Sequence, residues 1–91
     1  MMHAQALRHL LVEGKRPSWL TDDDLAGPSG HALTRMMAAW DAGASGLDRA
    51  VLVRQCLRRL PADAQVIVPT LKSEDVELYA RVGVRQSLDG S

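Results

Sequence analysis

Between Leu47 and Gly83 the chain carries its tightest punctuation, and that stretch limits the folds open to it. It reads as helix, strand, helix: Leu47–Leu60, Gln65–Val68 and Ser73–Val82. Pro61 ends the first helix, because proline has no N–H to donate and its ring clashes with the preceding turn. Arg58 and Arg59 fall in the last turn, where positive charge meets the negative end of the helix dipole. Val66, Ile67 and Val68 form a wholly apolar run. Such a run suits a strand covered on both faces, and its length alone does not separate it from buried helix. Ser73 suits an N-cap, with Glu74 and Asp75 in the first turn. Gly83 suits the left-handed residue after the last turn. Val84 would then fold back on Tyr79, the apolar contact of a Schellman cap.

The residues before this unit read as helical. Over residues 3–13, Ala4, Leu7, Leu10 and Leu11 share one face, while Gln5, Arg8 and Glu13 lie largely off it. Residues 9–13 also fit a strand. Gly14 is a stop. Thr21 can cap a short helix whose first turn holds Asp22, Asp23 and Asp24, with Leu20 and Leu25 placed as a hydrophobic staple. Adjacent residues on a helix point about 100° apart, so three consecutive aspartates do not converge on one ion. Gly27-Pro28 is expected to end this helix. Ser29 or Gly30 then opens the cleanest helix of the chain, His31 to Ala42. Its stripe of Leu33, Met36, Met37 and Trp40 follows the i, i+3, i+4, i+7 rule and reads as core. Methionine and tryptophan also suit an adaptable partner surface, which is the alternative for the same stripe. Gly43 stops the helix.

On the helix from Leu47, the residues Ala50, Val53, Cys56, Leu57 and Leu60 share a broad face, with Arg54, Gln55 and Arg58 opposite. Val51 and Leu52 add apolar surface outside that face, so this helix is expected to be covered on more than one side. After Gly83, the residues Val84 to Leu88 suit a second strand, parallel to Gln65–Val68 with the usual right-handed crossover. Two short strands are marginal alone. They call for a third strand, for close packing by the N-terminal helices, or for a sheet continued across a homodimer. The expected fold is α+β: three or four helices packed on a minimal two- or three-stranded sheet. Residues 1–91 make a single small domain. Within it, residues 1–43 are helical, 47–83 form the helix-strand-helix unit and 89–91 are a frayed tail.

The totals narrow the function. Apolar residues are 46% of the 91, enough for a core without staples. Eleven basic and eleven acidic residues balance, so there is no general pull towards nucleic acid or anionic membrane. One cysteine rules out an internal disulfide and fits a reducing, bacterial-type cytoplasm. No run reaches the roughly 18 apolar residues of a membrane span, and no secretory leader is evident. His3, His9 and His31 show no metal-ligand spacing, and no metal or cofactor is expected. Cys56 lies within a helix face rather than at an exposed helix N-terminus, where a thiolate is favoured.

Three local resemblances remain. Gly43-Ala44-Ser45-Gly46-Leu47-Asp48-Arg49-Ala50-Val51-Leu52 resembles the pyrophosphate loop and helix of CoA-dependent N-acetyltransferases. Val66-Ile67-Val68 resembles that family's following strand, and Glu77 to Val84 resembles its Tyr-x-x-x-Gly-Phe segment, with Val84 in place of phenylalanine. The resemblance implies that Gly43, Gly46 and Leu47 border CoA and that Tyr79 is a general acid. It spans about half of the chain, and the first 42 residues have no counterpart of the family's N-terminal strands. The order of elements also resembles the last half of receiver and STAS domains. Leu78 to Ser87 resembles the first helix and turn of a helix-turn-helix, implying a DNA-binding regulator, but the chain ends before a recognition helix. The favoured expectation is a non-enzymatic protein-binding or regulatory module. Its partner is another protein, met by Arg49, Arg54, Arg58 and Arg59 or by an exposed sheet edge. On that expectation, substitutions of Tyr79 or Cys56 disturb packing rather than turnover.

Overall fold

The Leu33–Trp40 stripe becomes the centre of the molecule. The computed structural model describes residues 2–61, 64, 66–68 and 78–86. Helix α1 spans Met2–Glu13, α2 spans Gly27–Asp41 and α3 spans Gly46–Arg59. A 3-10 turn, Asp22–Leu25, precedes α2. Strand β1 is Ile67–Val68, β2 is Arg85–Gln86, and residues 78–80 are helical. Helix α2 buries Leu33, Met36, Met37 and Trp40, and it packs against α1, the 3-10 turn and α3. Burial of these four residues makes them core and removes the partner-surface alternative for the stripe. Ala4, Ala6, Leu7 and Leu10 of α1, Ala32 of α2 and Ala50, Val53 and Cys56 of α3 add to this core. Leu60, Val66, Val68, Tyr79 and Val84 join the same cluster. Each fully buried side chain of leucine or methionine size contributes about 1.5–3 kcal/mol relative to exposure.

The α+β expectation, with helices packed on a minimal two- or three-stranded sheet, is overturned: the chain is mostly helical. Among the described residues, extended pairing is confined to a parallel ladder of β1 with β2, in the register Ile67↔Arg85 and Val68↔Gln86. Two residues per strand give too few cross-strand pairs to form a layer. The helices instead satisfy one another's apolar faces. Nor is β1 covered on both sides. Val66 and Val68 are buried, whereas Ile67 is 42% exposed. Helix α1 packs on β1, and Arg8 Nε donates to the Ile67 carbonyl at 2.9 Å. The expected Ser73 cap, the acidic turn after it, Gln65 and the 89–91 tail lie outside the described residues.

Local signals explain where the helices stop. Gly43 has φ +78°. Its N–H donates to the Trp40 carbonyl at 3.1 Å, and the Ala44 N–H donates to Ala39 at 3.0 Å, which is the Schellman pattern. Gly83, with φ +108°, repeats it: Gly83 N–H donates to Ala80 at 3.2 Å and Val84 N–H to Tyr79 at 3.0 Å. Helix α3 ends at Arg59, and Leu60 turns extended, as the residue before Pro61 must. Residues 9–13 belong to α1, as the helical reading of residues 3–13 has it, and the strand alternative falls. One expectation needs correcting. Gly27-Pro28 opens α2 rather than ending the preceding turn. Proline fits the first turn of a helix because its missing N–H has no acceptor there. No helix among the described residues is long and apolar enough to cross a membrane.

Candidate functional site

The four arginines of α3 do not share one surface. At 100° per residue, Leu47, Val51, Arg54 and Arg58 fall within about 60° of one another, on the side of α3 away from Val53 and Cys56. Their spacing of four, three and four residues is that of a helix-packing seam. Arg49 and Arg59 point elsewhere. The Arg49 guanidinium lies 4.7 Å from the Trp40 ring centroid, a cation–π distance, and covers an edge of the core. Its Nε is buried without a hydrogen-bond partner among the described residues. Arg59 Nη1 turns back to the Gln55 carbonyl at 2.8 Å and caps the end of its own helix.

The seam forms one wall of an open groove of about 490 Å³. Helix α3 supplies Leu47, Ala50, Val51, Arg54, Gln55 and Arg58, and the other wall is Leu78, Arg81 and Val82. Leu47 is 68% exposed and Val51 is 51% exposed, large apolar side chains one turn apart. Arg54 and Arg58 continue the same line, exposed and without an ion pair among the described residues. The α3 wall of the groove therefore has an apolar end and a cationic end, Arg81 adds a further basic residue on the other wall, and among the described residues no carboxylate lines the groove.

The residues implied by the acetyltransferase resemblance take other positions. Gly43 terminates α2, and Gly46 is the first residue of α3. Ser45 is the N-cap of α3, its hydroxyl accepting from the Asp48 N–H at 3.4 Å. Tyr79 is buried in the core cluster and does not line the groove; of the four, only Leu47 does. Two of the three aspartates of the 3-10 turn are engaged locally. Asp22 pairs with Arg16 at 3.1 Å, and the Asp24 carboxylate accepts from the Thr21 N–H at 2.9 Å. That backbone bond holds the Asp24 carboxyl below its usual range.

One constellation left no trace in the sequence. His3 Nδ1 hydrogen-bonds the Ser29 hydroxyl, and Nε2 hydrogen-bonds the Asp24 carbonyl. A carbonyl only accepts, so Nε2 carries a proton. The imidazole thereby ties the start of α1 to the 3-10 turn and to the first turn of α2. Its partners are 26 and 21 residues away, beyond the reach of any local pattern.

Cys56 is buried against the core, and burial pushes its thiol from the ordinary 9.0 up to about 11. In the native protein it is expected to resist Ellman's reagent at pH 8, with at least about 100-fold slower labelling than in denaturant. Because the native thiol holds its proton more tightly than the unfolded one, stability is retained below pH 9 and lost as pH rises towards 11. The loss is about 2–3 kcal/mol. Chemical denaturation at pH 8 and pH 11 should show this loss in the wild type and a smaller one in Cys56→Ala. Equal losses would mean that the thiol is solvated.

No family model, curated protein or solved structure matches the chain. The groove itself defines the class: a small, mostly helical protein with a two-walled amphipathic surface channel.

Proposed function

We propose that this chain is a non-enzymatic protein-binding module, working in the cytoplasm through a partner seated in the α3 groove. The observation that carries the reading is the alignment of Leu47 and Val51, both exposed, with Arg54 and Arg58 on one helix face. Scattered exposed apolar residues need no explanation, but an aligned apolar pair walled into a groove and rimmed by charge has the composition of an interaction site. Among the described residues, neither Leu47 nor Val51 belongs to the core cluster. A buried free thiol at Cys56 agrees with a reducing compartment.

The test is affinity capture from the native host lysate after nuclease treatment, with wild type and Val51→Asp compared side by side. A stoichiometric protein partner is expected with the wild type. Val51→Asp should reduce its recovery about tenfold or more while leaving the far-UV circular dichroism unchanged, since Val51 faces solvent. Recovery that is unaffected by Val51→Asp, or that depends on nucleic acid, would refute the reading.

A further inference from the structure

We infer that the occupant of the groove is an acidic amphipathic helix of about three turns, with apolar residues at one end of its contact face and carboxylates at the other. The inference rests on the docking reading above and specifies the chemistry of the partner. Leu47, Val51, Arg54 and Arg58 have the four-three-four spacing that knobs-into-holes packing requires of each helix. From Leu47 to Arg58 the wall is about 16 Å long at 1.5 Å per residue, which matches three turns of a partner helix. Leu78 and Val82 on the second wall are also four residues apart, so the groove offers two apolar rows between which a third helix can lie.

Charge selects the partner. Helix α3 carries four arginines against one aspartate, Asp48, within a chain whose total charge is zero. Arg54 and Arg58 sit at one end of the seam, and among the described residues no carboxylate lines the groove to neutralise them. A guanidinium pair at this spacing can donate to carboxylates one helical turn apart on the partner. Separation of the apolar and cationic ends also sets direction: a helix docked the wrong way round would place leucine on arginine and glutamate on leucine. A basic helix is repelled, and an uncharged apolar helix leaves the two arginines without partners as they are drawn out of water.

The probe is a 16-residue fluorescein-labelled helical peptide with leucines at two seam positions in its first half and glutamates at two in its second, in the same four-three-four spacing. Controls are a peptide of identical composition with the spacing scrambled, and one with lysine for each glutamate. Fluorescence anisotropy is measured with the intact chain at low and moderate salt. Saturable binding of the acidic peptide is expected, weakening as salt rises. The scrambled control should bind about tenfold or more weakly. Arg54→Glu/Arg58→Glu should lose about tenfold in affinity for the acidic peptide and gain a similar factor for the lysine peptide. Equal binding of the acidic and lysine peptides, or no effect of the double charge reversal, overturns the inference. So does self-association in sedimentation velocity that Val51→Asp abolishes, because the occupant would then be a second copy. If the peptides fail while the captured partner still depends on Val51, the helix inference falls and the docking reading stands. If both fail, both fall.

Discussion

Leu33→Ala is expected to lower the free energy of unfolding by about 3–5 kcal/mol. Leu33 is fully buried near the middle of α2, the helix that packs on α1, on the 3-10 turn and on α3. Removing its isobutyl group costs the transfer energy of the lost carbons and leaves a cavity that three surrounding elements would have to collapse to fill. A chain of this length has a total stability of about 5–14 kcal/mol, so the variant forfeits a large share of it. Urea denaturation followed by circular dichroism measures the effect. Arg35→Ala, exposed on the same helix, should change stability by less than about 0.5 kcal/mol and serves as the control. A loss below about 1 kcal/mol in Leu33→Ala would show that the core does not centre on α2.

Gly30→Ala is expected to destabilise by about 2–3 kcal/mol, against the direction helix propensity alone would give. Gly30 lies in the first turns of α2 with ordinary helical dihedrals, where alanine normally improves a helix by about 1 kcal/mol. A Cβ there would meet the Leu25 carbonyl carbon and oxygen at 2.3 Å and its Cα at 2.8 Å. These are backbone atoms and cannot swing aside as a side-chain tip would. The 3-10 turn must therefore move off α2, which also disturbs the His3 bond to the Asp24 carbonyl. The sign of the change is the readout. Stabilisation by Gly30→Ala would mean that the 3-10 turn is not seated on α2.

Gly30 also shows why some features escaped the sequence. A glycine inside a helical stretch can be read as a start signal, and here it was. The close approach of Leu25 that requires it is a tertiary fact. Gly27-Pro28 is ambiguous as a pair: it can signal an ending, and proline also fits the first turn of a helix, which is the place it takes here. The arginines of α3 were legible as a basic cluster. Their division was not, because it depends on Trp40 lying against Arg49 and on Leu78, Arg81 and Val82 forming a groove with the face that holds Arg54 and Arg58. The apolar surplus of Val51 was visible in the wheel of α3. That it stays exposed as one wall of a groove is a consequence of where residues 78–82 lie.

The sequence by itself determined the features whose causes are local. The Leu33–Trp40 stripe follows the helical repeat. Gly43 and Gly83 supply left-handed residues at helix ends, with Val84 bonded back to Tyr79 as its position requires. Pro61 ends α3 through its own covalent geometry. Each of these needs only neighbours within about five residues. Fold class, the exposure of Ile67, the His3–Ser29 tie and the two-walled groove were decided by tertiary structure alone. They depend on which apolar faces meet, and several arrangements bury a similar apolar area from the same local pattern. Here the faces of α1, α2 and α3 close on one another. Among the described residues, that left the short strands a two-residue ladder to make and left Leu47, Val51, Arg54 and Arg58 exposed on one side of α3.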